Sequence, residues 1–246
     1  SRLARPGDLQ RQTRQSRGGG EAWQDEILPT HYTLGNFIAL FSDTGAFAPI
    51  RNSVWTSALA TLAAVVVALP AAYLIARRRV GARVTEWLIM LPWALPGTVI
   101  AIDLITAFNN AALPLYNTVW LLPLAYFVRT APMCARMLTP AIGPFDATLI
   151  EAARSLGARP AYVFWRVVLP LLAPSVLAAA ALAFATALGE FAASVLIYVP
   201  ANVPISVKIN MEWRSAAGPA FAYSVLLAAL VAAAFITSRR LTNRVL

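Results

Sequence analysis

The chain has 246 residues, of which 59% are hydrophobic and 13% charged, and its mean hydropathy is +0.64. Those values exclude an ordinary soluble domain. They also turn the formal net charge of +9 into a sign of a cytoplasmic membrane face rather than of nucleic-acid binding, because the charges fall between apolar runs long enough to cross a bilayer. One cysteine, Cys134, and one histidine, His31, leave no material for a disulfide, a thiolate metal cluster or a catalytic imidazole pair. Cys134 reads as a small buried apolar side chain.

In chain order, residues 1–26 form a basic linker or tail, with five arginines in the first twenty positions and no apolar run. That composition predicts disorder. Residues 27–53 form an external segment preceding the core, and 54–238 form a transmembrane domain followed by a cytoplasmic tail at 239–246. About 20 apolar residues cross the roughly 30 Å hydrocarbon layer, which predicts five crossing segments at 54–76, 87–108, 113–134, 171–197 and 220–237. The second carries Pro92, Pro96 and Gly97, which predict a kink or a local opening. The third carries Arg129 near one end. The fourth is interrupted at Gly189 in "GEFAASVLIYV", which places Glu190 at a helix break lining a cavity.

Orientation follows from the basic residues of the loops. Arg77, Arg78, Arg79 and Arg83, then Arg136, Arg154, Arg159 and Arg166, then Arg239, Arg240 and Arg244 fall on one side, against Arg51, Lys208 and Arg214 on the other. The C-terminus and the loop at 146–170 are therefore expected in the cytoplasm. Five crossings then leave the basic tail outside, against its character, and a span lying between tail and core but absent from this chain would reconcile the two.

The loop reads "DATLIEAARSLGARPAYVFWRVVLP". Asp146 is placed to cap a helix from Ala147. Leu149, Ala152, Ala153 and Leu156 recur on one face, with Glu151, Arg154 and Ser155 on the other. Gly157 is placed to end the helix in a left-handed conformation, and Pro160 to open a second helix. Such a helix-corner-helix could lie flat on the membrane surface, but the shallow face of Ala152 and Ala153 suits close approach by another protein better than anchoring in lipid.

The run resembles the EAA signature of permease subunits in binding-protein-dependent ABC importers. The matching residues are Glu151, Ala152, Ala153, Gly157, Val167, Leu169 and Pro170, with Val167 where isoleucine is usual. The similarity of span order extends from Tyr32 to the C-terminus, beginning with "YTLGNFIALF". The resemblance implies an all-α membrane protein of the type I importer permease fold, multi-pass in a bacterial inner membrane. It implies that Glu151, Ala152, Ala153, Gly157, Leu169 and Pro170 couple the spans to two cytoplasmic ATPase subunits, and that a second permease half, the same or a related chain, and a periplasmic substrate-binding protein complete the assembly within membrane lipid. No nucleic acid, cofactor or metal is expected in this chain. It lacks a G-x-x-x-x-G-K-[ST] phosphate loop and its only lysine is Lys208, so ATP and Mg are expected in the partner and the chain is not an enzyme.

"YVPANVPISVKINMEWR" and "GEFAAS" resemble the ferric iron subgroup, with the thiamine, phosphonate and polyamine subgroups next. An ATPase-independent channel or secondary carrier would leave the loop without a purpose, and an intramembrane hydrolase lacks a Ser/His cluster. Asp103 and Glu190 are the acidic residues furthest from loops, and an ionisable group inside a bilayer must be paired or face water. Both are candidates for the substrate pathway. The structural alternatives are a bond from Asp103 to Asn109 or Asn110 and a pair between Glu190 and Arg129.

Overall fold

The computed structural model of the protein describes residues 34–42, 44–110, 112–143, 155–215 and 217–245, and these contain helices and no strand. A short helix, α1 (Gly35–Ser42), leads into α2 (Thr44–Ala76). At 33 residues, α2 is about 50 Å long and exceeds the bilayer. It begins well before the apolar run expected at 54, because its first turns are held by protein rather than by lipid. Asn52, Ser53, Thr56 and Ser57 are buried. Asn52 Nδ2 donates to the Val203 carbonyl at 3.2 Å, and Ser53 Oγ accepts the Ile205 N–H at 2.7 Å.

Beyond a turn in which Arg78 and Gly81 take positive φ, the second crossing is broken rather than kinked. Helix α3 (Ala82–Met90) passes into a 3-10 turn (Leu91–Ala94), Leu95 is extended at φ −95° and ψ 137°, and α4 (Gly97–Phe108) departs at 111°. Pro92 and Pro96 each lack an N–H, and Pro96 forces Leu95 out of the helical region. Only together are the two pieces long and apolar enough for one crossing. Glu86 and Met90 of α3 share a hollow with Arg136, Thr139 and Pro140, whereas Leu104, Ile105 and Phe108 of α4 pack on the cluster that holds Leu121, Leu122 and Ala125. Those are opposite ends of the next helix.

That helix, α5 (Leu121–Ile142), starts eight residues later than the expected 113 and ends eight later than the expected 134. Pro114 and an Asn117 with φ of 60° hold the preceding segment in turns. Buried residues run the whole length of α5, from Leu121 to Ile142. Shielded by its neighbours, it need not be apolar throughout, and it carries Arg129 and Arg136.

Helix α6 (Pro160–Val163) continues through a π turn (Phe164–Val168) into α7 (Leu169–Leu188), which stops at Gly189. A short α8 (Ser194–Ile197), a 3-10 turn (Pro200–Asn202) and α9 (Ile205–Trp213) precede the last crossing, α10 (Ala217–Val245). The bundle closes around small residues. Ala60, Ala64, Ala68 and Ala72 recur every fourth position of α2, all at most 1% exposed; the last three cluster with Ala131, Cys134 and Ala135 of α5 and Ala179 and Ala183 of α7, and Ala60 with Ala101, Leu122 and Ala125. A ridge without side-chain bulk lets backbones approach closely, which is how helices associate where lipid is as apolar as leucine.

Candidate functional site

Two places carry the residues singled out from the sequence. The first is the corner within the expected loop at 146–170. Asp146, Glu151, Ala152, Ala153 and Arg154 lie outside the described residues, so the first helix of the expected pair is not characterised. The corner itself is. Gly157 has φ +80° and nothing within 4 Å of the position a Cβ would take. Glycine is required there by the backbone and not by space. Pro160 opens the next helix as expected, and Leu169 and Pro170 begin α7. Leu156 is 89% exposed and Tyr162 60%, so the corner presents apolar side chains that no described part of the chain covers.

The second place lies where two broken helices meet. Helix α7 ends at Leu188 and α8 begins at Ser194. Glu190 falls in that gap and is 7% exposed. Its carboxylate accepts from Arg129 Nε at 3.2 Å through Oε2 and from the Ala193 N–H at 3.1 Å through Oε1. Its backbone carbonyl accepts from Ser194 Oγ and, at 3.0 Å, from Ser206 Oγ. Tyr126 OH lies 2.8 Å from Ser194 Oγ. A buried charge is tolerable only with this degree of pairing.

Arg129 has a second task. Its Nη1 donates to the Leu95 carbonyl at 3.3 Å, the group freed where Pro92 and Pro96 break the α3–α4 crossing. One guanidinium on the continuous α5 thus ties both helix breaks together. Gly97 completes the fit: a Cβ there would stand 3.0 Å from Glu190 Oε1 and 3.2 Å from the Ala192 Cβ.

The pair between Glu190 and Arg129 was legible as one of two alternatives. The Leu95 carbonyl, Gly97 and Ser206 were not named as its partners, since a backbone acceptor leaves no mark in side-chain pattern and Ser206 stands 16 positions from Glu190. For Asp103 the bond to Asn109 or Asn110 is not made. Asn110 instead donates to the Ala107 carbonyl and accepts from the N–H groups of Ala112 and Leu113. Asp103 is exposed on α4.

Residues 60–246 match the binding-protein-dependent transport system inner membrane components. The chain belongs to this family. Both the corner and the knot at Glu190 fall within the matched residues. Among relatives, the chain is 30% identical over 233 residues to a probable ABC transporter permease of Sinorhizobium fredii, covering 88% of this chain and 40% of that protein. It is 28% identical over 222 residues to a putative 2-aminoethylphosphonate transport system permease of Salmonella paratyphi A, covering 89% and 83%. It is 30% identical over 206 residues to a ferric transport system permease of Actinobacillus pleuropneumoniae, covering 81% and 30%. The chain thus spans less than half the length of the first and third of these. In fold it is similar to a chain of the MetNI methionine ABC transporter, with a TM-score of 0.65 at 21% identity over 81% of this chain and 97% of that one. A bacterial alginate importer gives a TM-score of 0.72 at 15% identity, covering 94% and 89%. The expected fold of a type I importer permease is the fold observed.

Proposed function

We propose that the chain is one permease half of an ATP-driven importer in a bacterial inner membrane and that its cargo is ferric iron. The family match over 60–246 carries the permease reading. In this reading two cytoplasmic ATPase subunits, which hold the ATP and Mg, dock on the loop at 146–170, a second permease half completes the passage, and a periplasmic binding protein delivers the cargo. The arginine asymmetry puts the loop and the C-terminus in the cytoplasm.

The helices suggest how the two ends communicate. The apolar helix leaving the corner runs unbroken for 25 residues, Phe164–Leu188, or about 37 Å. A displacement at Gly157 is carried along this rod to Gly189 and Glu190. Arg129 then links it to Leu95, so that movement of α7 bears on the broken α3–α4 crossing. Packed helices with two discrete arrangements are the physical means by which such coupling travels.

Ferric cargo is supported by the relative named for ferric transport and by the resemblance of the external stretch from Tyr198 to Arg214. A second reading, 2-aminoethylphosphonate, is favoured by the relative whose length the chain covers to 83%. The test is uptake of each radiolabelled cargo by cells lacking the gene and by complemented cells, with and without depletion of ATP, together with co-purification of an ATPase. Gene-dependent, ATP-dependent iron uptake supports the proposal, whereas phosphonate uptake would reassign the cargo. Uptake that persists without ATP and without an ATPase would point to a channel or secondary carrier.

A further inference from the structure

Helix α4 has two faces of different character. Gly97, Ile100 and Ala101 are buried, and Leu104, Ile105 and Phe108 pack against the cluster around Leu121 and Tyr126. The opposite face carries Val99, Ile102, Asp103, Thr106 and Ala107, all exposed. Its other polar group is already engaged, since Thr106 Oγ1 donates to the Ile102 carbonyl at 2.9 Å. Asp103 is the charged group on this face, and it has neither a hydrogen-bond partner nor an ion pair among the described residues.

Depth makes this consequential. Leu104 and Ile105, the next residues along, pack level with the first turns of a crossing helix, and the break at Leu95–Pro96 lies further in. Asp103 therefore lies on a helix and not in a loop, in a helix pair that is long and apolar enough to cross a bilayer. A carboxylate at such depth is costly against acyl chains and is found facing water or a partner charge. Glu190 lies further in, against Gly97 at the break, where it is turned inward and satisfied by Arg129, so the two carboxylates differ in their surroundings.

We propose that the outer face of α4 lines a water-filled passage in which Asp103 selects for cargo with a positive centre and against simple anions. This rests on the permease reading, because a passage is needed for the residue to act in. A carboxylate one helical turn from a probe site, about 6 Å away, changes the local concentration of a monovalent ion about threefold even at the dielectric constant of water, up for cations and down for anions. The ratio between the two signs is then about tenfold.

The experiment places a cysteine at Thr106 or, as a second variant, at Ala107, three and four positions from Asp103, in cells carrying the whole transporter. Cys134 is fully buried and stays silent. Each variant is reacted with a cationic trimethylammonium-ethyl and an anionic sulfonatoethyl methanethiosulfonate, and the rate ratio is compared with that of a free thiol. The expected result is a cationic preference about tenfold above the free-thiol ratio that collapses to it in Asp103→Asn. No reaction with either reagent at both positions, or a ratio unchanged by Asp103→Asn, would overturn the proposal. Co-purification of an ATPase from the same cells reports separately on the permease reading, so the two failures are distinguishable.

Discussion

Replacing Arg129 by methionine removes the cation from a carboxylate that is 7% exposed, while the guanidinium itself is 28% exposed. The asymmetry decides the outcome. In Arg129→Met, Glu190 keeps the Ala193 N–H as its only remaining described side-chain donor and cannot reach water, so an uncompensated buried charge is left at a cost of about 3–5 kcal/mol. In Glu190→Gln, the amide oxygen still accepts from Ala193, and Arg129 can turn its charge toward solvent while keeping Leu95. That cost is about 1–2 kcal/mol. For a chain of this size each kcal/mol lowers the midpoint by about 2–4 °C, so Arg129→Met should lose about 6–20 °C and Glu190→Gln about 2–8 °C. The assay is built into the protein. Cys134 is the only cysteine and is buried against Ala179, so a thiol-reactive fluorophore reports unfolding of the detergent-purified protein. The double variant Arg129→Met, Glu190→Gln has no buried charge left and should recover most of the loss of Arg129→Met. A double variant as unstable as Arg129→Met, or more so, would refute the argument that the unpaired carboxylate is the cause.

The remaining predictions use the same protein. Gly97→Ala places a Cβ 3.0 Å from Glu190 Oε1, so the carboxylate must shift from Arg129; the midpoint should fall by less than in Arg129→Met, and cargo uptake should fall with it. Ala68→Leu overfills the fully buried ridge of α2 and should cost about 1–3 kcal/mol, whereas Leu62→Ala, at a position 62% exposed, should leave the midpoint nearly unchanged. Gly157→Asp forces a Cβ into a φ of +80° at about 1–2 kcal/mol; the spans should stay inserted while ATPase co-purification and cargo-stimulated ATP hydrolysis drop. Single cysteines at Lys208 and Arg78 should differ in intact cells, with only the former open to an impermeant thiol reagent, and the reverse pattern would invert the orientation.

Much of this protein was legible along the chain because its physics is local. Apolar runs must be long enough to cross a bilayer, so the multi-crossing character was legible, although among the described residues three helices, or four with the bent α3–α4 pair, are long and apolar enough to cross, against the five expected. The corner at Gly157 was readable because a left-handed residue before a proline-started helix has a strong compositional signature. The break at Gly189, which is right-handed at φ −86°, was readable for another reason, a weak helix former followed by a charged residue inside an apolar run. Hydropathy misplaced α5 because it measures affinity for lipid, and α5 is wrapped in protein. Its register is set by the turns that end at Trp120 and by the alanine ridge of α2, neither of which a sliding window sees.

The roles of the two acidic residues were also beyond local reading. Asp103 and Glu190 look alike in sequence, each an isolated carboxylate in an apolar segment. Only folding brings Arg129, 61 positions from Glu190, to one of them and leaves the other on an exposed face. The sequence by itself determined that this is a multi-crossing membrane protein with a glycine corner before a proline-started helix, since those properties follow from hydropathy and backbone preference within a few turns. The tertiary structure decided which proline pair breaks a helix outright, which carboxylate is paired and buried and which stays exposed, because these depend on where distant helices place a single guanidinium in a medium that offers no water to satisfy what is left unpaired.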